Sequence, residues 1–469
     1  MIIRYNKILV RLLALVFLIA SPFIGNAQEV LTLDRYFEVV KEHHPISKQA
    51  GLQTQTGEAF VAKARGGFDP KLSSVIDQKY FDGKTYYKTM DNAFKVPTWF
   101  GVDLKGGFEQ NSGQFLNPES TVPASGLWYA GISVPVGQGL FIDQRRADLR
   151  QAQLFLESTQ AERQLILNDL FLNSVQAYWD WFFTYHQVLI FEEATELAMT
   201  RYRAVIQEFK AGDKPAIDTV EAGIQWQSRT YGLQQAQLDF ANATAQLDVF
   251  LWQDGLVPLE LTEDAIPPTL DAVELTRVEL GESPQVDSII ANHPMMIQSQ
   301  LKIDQLEIQN RLNLERLKPT LNLNYNALSE PMNGDVLAEY SINNYKWGME
   351  FEMPIFLRKE RSNVRLTNIK IQDADFELSL KRETLEYKAI AAINNWQTTI
   401  DQYQLYNQIT VDYQRLLAGE RSKFDIGESS LFLVNSREVK YIEARIKLIE
   451  LLVKNQEARL KLKYALNQF

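Results

Sequence analysis

Residues 167–188 read LNDLFLNSVQAYWDWFFTYHQV, and along them Leu167, Phe171, Ser174, Tyr178, Trp181, Tyr185 and Val188 step by four and three in strict alternation. A 3.5-residue period is the seam of a coiled coil, because it keeps one stripe against a neighbouring helix over many turns. The segment sits inside a run of 72 residues, Leu140 to Ala211, with no glycine or proline. A second such run, Ile355 to Ala418, has 64 residues, and Ala389, Ile393, Trp396, Ile400 and Tyr403 repeat the spacing. At about 1.5 Å per residue, the longer run makes a rod of roughly 100 Å. An ordinary core stripe explains a single heptad. Three heptads in one run and two in the other point to long packed rods.

The two rods belong to an internal repeat. His44-Pro45, Pro70 and Leu72 match His293-Pro294, Pro319 and Leu321 at an offset of 249. Arg150, Trp181, Gly212 and Leu251 match Arg365, Trp396, Gly427 and Leu466 at an offset of 215. Each half therefore reads helix, proline, β region, proline, long rod, glycine turn, returning helix. The expected layout has a first repeat over 28–252, with a helix over about 34–65, a β region at about 70–136, a rod at about 142–211 and a returning helix at 216–252. An irregular linker, 253–283, carries Pro258, Pro267 and Pro268. The second repeat, 284–469, has its β region at about 319–354, its rod at about 358–424 and its returning helix at 428–468.

The β regions alternate with a period of two. Leu321, Leu323, Tyr325 and Ala327 interleave with Asn322, Asn324 and Asn326, and Tyr345, Trp347, Met349, Phe351 and Met353 interleave with Lys346, Gly348, Glu350 and Glu352. In the first half Phe100, Val102, Leu104, Gly106 and Phe108 form one such set, and Trp128, Ala130, Ile132 and Val134 another. Apolar-out, polar-in segments of about ten residues suit the wall of a transmembrane barrel, and a half-buried soluble sheet gives the same alternation. Two strands are clear in the second half and three in the first, counting Leu72 to Tyr80, with a weaker candidate at Lys84 to Phe94.

Residues 1–27 stand apart. Arg4, Lys7 and Arg11 flank and enter an apolar run, Leu12 to Ala20, and Gly25-Asn26-Ala27 ends the segment on small residues, the pattern of a secretory signal cut after Ala27. Its removal takes the net charge from −11 to −11 − 3 = −14, which argues against nucleic acid as a partner. The chain has no cysteine, so disulfides, thiolate metal sites and cysteine nucleophiles are excluded. Four histidines, with His44 and His293 at repeat-equivalent positions before proline, read as helix starts rather than metal ligands. No phosphate-binding loop, nucleophile elbow or zincin motif occurs. The expectation is a protein that is not an enzyme and uses no cofactor or metal.

This layout resembles the TolC family of outer-membrane efflux and secretion channels over essentially the whole mature chain. The resemblance rests on Asn292-His293-Pro294 and its earlier copy, Leu317-Lys318-Pro319-Thr320-Leu321, the proline closing each β region, and Phe-x-x-Gly before each rod turn. It implies an α+β membrane protein: a trimeric β-barrel in the outer membrane, joined to a long antiparallel α-helical coiled-coil barrel reaching into the periplasm. Four strands cannot close a barrel, since about eight are needed, whereas three such chains would supply twelve. Leu323, Tyr325, Trp347 and Phe351 would then face lipid, and Asn322, Asn324, Glu350 and Glu352 the lumen. The turns at Gly212, Lys214, Gly427 and Ser429 would dock a periplasmic adaptor (a membrane fusion protein). The resemblance also implies an iris lined by residues six and nine positions past each turn glycine. These are Asp218 and Glu221 in the first half, and Leu433 and Ser436, which depart from the acidic pattern, in the second.

The implied function is a passive exit duct working with that adaptor and an inner-membrane transporter, exporting small molecules or polypeptides. The alternative is a periplasmic coiled-coil scaffold whose strands form a soluble sheet.

Overall fold

The computed structural model describes residues 29–262, 264–275, 284–331, 341 and 343–469. The signal segment and part of the linker lie outside the described residues.

Two helices open the chain, α1 (Leu33–His43) and α2 (Pro45–Arg65), where one was expected over 34–65. The break falls at His44 because a following proline disfavours the helical region, and His44 is extended at φ −63°, ψ 136°. Its Nδ1 accepts from the Ile46 amide at 3.1 Å. Four strands follow: β1 (Lys71–Phe81), β2 (Lys84–Pro97), β3 (Asp103–Ser112) and β4 (Leu127–Pro135). Then come α3 (Gln144–Ala211) and α4 (Ala216–Asp248). The second half supplies α5 (Pro284–Ala291), α6 (Pro294–Glu315), β5 (Thr320–Ser329), β6 (Tyr345–Glu352), α7 (Arg358–Asp425) and α8 (Leu431–Ala465). His293 caps α6 as His44 caps α2, its Nδ1 accepting from the Met295 amide at 3.2 Å.

Two of these elements end short of the expected bounds. Helix α4 stops at Asp248 instead of 252 because Trp252–Gln253 pairs with Val257–Pro258 as a short strand. Helix α8 starts at Leu431 instead of 428, after Ser430, whose Oγ and carbonyl both accept from the Leu433 amide.

The strands form one antiparallel sheet in the order β6-β5-β4-β3-β2-β1. Its six strands are the five clear runs and the weaker candidate of the sequence, two more than the four per chain that go with the resemblance. The weak candidate at Lys84–Phe94 is a full strand of 14 residues, hydrogen-bonded on both sides, to β1 and to β3. Its alternation is blurred because Lys88 and Asn92 share a face with Met90, Phe94 and Val96. Asp82-Gly83 joins it to β1, with φ of 51° and 73°, the positive pair that a two-residue hairpin turn requires. Phe100 and Val102, expected in a strand, lie in a turn instead. There the Thr98 hydroxyl donates to the Val102 carbonyl at 2.5 Å.

By packing, the chain divides into two compact units. One takes the chain up to Ser47, Leu170–Glu279 and Ala391–Leu462, and the other takes Lys48–Asp169, Leu280–Ile390 and Lys463–Phe469. The first holds the aromatic seam. Phe171, Ser174, Tyr178 and Trp181 are buried, covered by α1, whose Tyr36 hydroxyl donates to the Ser174 carbonyl at 3.1 Å and whose Phe37 ring lies 4.7 Å from Phe171. Phe240 of α4 covers Tyr185 at 5.6 Å. On α7, Asn455 of α8 donates to the Trp396 carbonyl at 3.1 Å and to Thr399 at 3.0 Å. The second unit holds the sheet together with α2, α5 and α6. In it Phe60 packs on Phe155 at 4.9 Å, Leu385 packs on Ile290 and Met296, and Lys302 pairs with Glu377 at 2.7 Å.

Candidate functional site

The sheet has two chemically distinct faces, and its register keeps them distinct from strand to strand. Trp347 stands opposite Tyr325, Tyr325 opposite Ile132, Ile132 opposite Leu104, and Leu104 opposite Val96. Leu323 and Phe351 share this parity. Leu72, opposite Phe94, continues it on β1, and most of these side chains are exposed: Leu72 is 81% exposed, Trp347 65% and Phe351 64%. A contiguous apolar surface of this extent is unstable in water and marks a site that meets lipid or protein.

The opposite face is polar. Asn324 stands between Ser133 and Gly348, and Asn322 between Pro135 and Glu350, while Glu352 faces Thr320. One row across the whole sheet reads Lys71, Lys95, Lys105, Gly131, Asn326 and Lys346. A cavity of about 470 Å³ opens on this face, lined by Lys95, Asp103, Lys105, Arg145, Asn324 and Glu350 among others. Several of its charges are engaged: Asp103 accepts from Lys95 at 2.8 Å and from Arg145 at 3.0 Å, and Lys105 donates to Asn324 at 3.1 Å. The surface suits water and polar solutes.

The glycine turns form the second candidate region. Gly212 and Gly427 adopt φ of 88° and 80°. The Asp213 amide reaches back to the Glu208 carbonyl at 2.9 Å, and that of Gly212 to Phe209 at 3.0 Å. Glu428 and Gly427 repeat the pattern on Lys423 and Phe424 at 2.8 and 3.0 Å. This pair of bonds closes a helix at a left-handed residue. The two turns touch through Lys214, whose ammonium lies 4.6 Å from the Phe424 ring centroid. Ser429 donates to Glu420 at 2.5 Å.

Of the four expected iris residues, Glu221 is engaged, accepting from Asn435 of α8 at 3.1 Å. Asp218 and Ser436 are half-buried. Leu433 is exposed, whereas Leu431 and Val434 on either side of it are buried, Leu431 against Val205 and Ala222. Leu433 therefore points out of the packed seam of its own chain.

Next to these residues lies a buried charge cluster that sequence reasoning missed. Glu438 of α8 is 4% exposed, and it accepts from Arg201 of α3 at 2.5 Å, with Arg421 of α7 at 3.6 Å. Arg201 also donates to Asn435 at 3.0 Å. Burial lowers the affinity of the Arg229 guanidinium for its proton, Glu438 works against that shift, and Arg201 adds to it. A signal was present in the sequence: Glu438 follows Leu431 and Val434 and precedes Ile442 on one helical stripe, and these three are buried.

Residues 286–468 match the family described as Outer membrane efflux protein. No curated protein sequence matches the chain. Among solved structures, it is similar to the CmeC outer membrane channel of Campylobacter jejuni, with a TM-score of 0.67, 15% identity, and 93% of this chain and 86% of that one covered. A membrane protein from Pseudomonas aeruginosa gives 0.66 at 13% identity, covering 94% and 93%. The outer membrane protein VceC of Vibrio cholerae gives 0.64 at 12%, covering 92% and 95%. The second repeat thus matches the outer membrane efflux protein family, and over more than nine-tenths of its length the chain shares the α+β fold of these solved outer-membrane proteins.

Proposed function

We propose that the chain is the passive outer-membrane exit duct of an export system. The observation that carries this reading is the sheet, whose register sets a largely apolar, exposed face against a largely polar one from strand to strand. A soluble scaffold would leave that apolar face in water, which disfavours the alternative reading. In a barrel the same face meets lipid, and the face bearing Asn322, Asn324, Glu350 and Glu352 lines the lumen.

The chain works as a homotrimer, since one curved sheet cannot close alone. The long helices of three copies form the periplasmic tunnel. The turns at Gly212, Lys214, Gly427 and Ser429 dock a periplasmic adaptor that connects the duct to an inner-membrane transporter. Exposed Ile217, Ile426 and Phe432 give that region an apolar surface for docking. Asp218, Glu221, Leu433 and Ser436 form the gate. Residues 1–27 direct export and are removed.

Membrane fractionation tests the reading. The protein is expected in the outer membrane as a trimer that heat converts to monomer on a gel. Release by osmotic shock as a soluble protein would favour the scaffold.

A further inference from the structure

We infer that each chain contributes six strands to the barrel, so that a trimer closes with eighteen strands in a wall about half again as wide as a twelve-stranded one. This rests on the barrel reading proposed above.

The β1–β2 hairpin is what enlarges the wall. Strand β2 is hydrogen-bonded to β3 from Lys88–Ser112 through to Pro97–Asp103, so it takes up the edge of β3 that does not pair with β4. The hairpin also carries the faces onward: Leu72 stands opposite Phe94, and Phe94 opposite Gly106, in the apolar parity, while Lys71 and Lys95 continue the polar row. A loop folded outside the barrel would have no reason to keep this register.

The two outer strands then become complementary edges. Among the described residues, β1 and β6 each pair on one side only. Every residue of β1 is exposed, and all of β6 except Gly348. Because they are the first and last of six alternating strands, β1 and β6 run antiparallel, so β6 of one copy can add to β1 of the next in the pattern used throughout the sheet. Lys71 and Glu352 are the helix-proximal ends of these strands, which sets a cation beside a carboxylate at each seam. The occupant of the free edges is a second copy of this chain.

With strands about 4.8 Å apart and tilted about 40°, eighteen strands give a backbone diameter of roughly 36 Å, against roughly 24 Å for twelve. Side chains of about 6 Å on either wall leave a bore that admits two helices side by side, each about 10–12 Å across, rather than one. The outlet is built for bulkier cargo than a four-strand wall would pass.

The absence of native cysteine makes crosslinking clean. Leu72→Cys on β1 is combined in turn with Trp347→Cys, Met349→Cys or Phe351→Cys on β6, all on the apolar face. A second series pairs Leu104→Cys on β3 with the same three. Complexes of the membrane fraction are mildly oxidised and run without reductant, and their mass gives the number of chains. At least one Leu72 pair is expected to yield disulfide-linked dimers and trimers, and no Leu104 pair should. Interchain bonds in the Leu104 series, or in neither series from an intact membrane-embedded trimer, would overturn the six-strand wall alone. A chain recovered as soluble protein would overturn the functional reading beneath it.

Discussion

Arg201 and Glu438, 237 positions apart, meet at 2.5 Å with the Glu438 carboxylate almost wholly buried. The pair ties the rod of the first repeat to the returning helix of the second. Removing one partner from a buried ion pair costs up to about 3–5 kcal/mol, and less here because Arg421 still lies 3.6 Å from the Glu438 carboxylate. Arg201→Met is therefore expected to lower the thermal midpoint of the purified trimer markedly. Arg201→Met with Glu438→Met should recover much of the loss, because paired apolar replacements are often neutral. Calorimetry on the two variants measures the difference, and equal destabilisation in both would show that the pair's geometry, rather than the stranded charge, matters.

The two faces of the sheet should answer differently to the same substitution. Arginine at Leu323 or Trp347 is expected to cost about 2–4 kcal/mol at mid-membrane depth, falling toward the interfaces. At Asn324, on the opposite face, arginine should leave folding intact and shift ion selectivity toward anions. Trimer yield and reversal potentials in planar bilayers separate these effects. Equal tolerance at Leu323 and Asn324 would be incompatible with a membrane wall.

Much of this architecture was legible in the sequence, for physical reasons. The rods announced themselves because the seam from Leu167 to Val188 recurs at 3.5 residues without interruption. The strands of the second half were equally plain, since Leu323, Tyr325, Trp347 and Phe351 alternate with polar residues. Strand β2 was weak because Lys88 and Asn92 lie on its apolar face, so periodicity alone underrated it. The Asp82-Gly83 turn was the better signal. The Arg201–Glu438 pair was hidden for another reason: local spacing shows that Glu438 interrupts an apolar stripe, but not which cation neutralises it.

Three histidines make stability depend on pH. Burial holds His44, His186 and His293 below the ordinary histidine pKa, although each also has a hydrogen bond to backbone that opposes the shift. His186 Nε2 lies 3.1 Å from the Pro268 carbonyl. The unfolded chain then binds more protons than the native one as pH falls through about 6.5, so this contribution is full above that pH and is lost below it. Each unit of depression corresponds to about 1.4 kcal/mol. Thermal midpoints should drop from pH 7.5 to 5.5, and less steeply in His186→Gln. A flat profile would mean that these imidazoles charge without penalty.

Gly212 and Gly427 offer a test of the turns that leaves packing untouched. A Cβ at either position meets nothing within 4 Å, so substitution costs only backbone conformation. Alanine at φ near 88° or 80° should cost about 1–2 kcal/mol. Asparagine, which tolerates the left-handed region, should cost less. Adaptor crosslinking and thermal midpoints of the four variants are the measurements.

The gate prediction turns on Leu433. It is 39% exposed within its own chain, beside buried Leu431 and Val434, so it does not serve the helix seam. In a trimer three copies of Leu433 recur about the axis, and a ring of leucines closes a pore by excluding water. Glu221 is held by Asn435 at 3.1 Å, which leaves Asp218 as the freer carboxylate for biasing ions. Leu433→Ser is expected to raise the resting conductance severalfold without lowering the thermal midpoint, because an exposed side chain contributes little packing. Asp218→Asn should leave conductance near its original value and weaken cation preference. Single-channel recording decides between them: a Leu433→Ser trimer of normal stability and unchanged conductance would remove Leu433 from the gate and shift attention to the Arg201–Glu438 tie as the element that holds the tunnel closed.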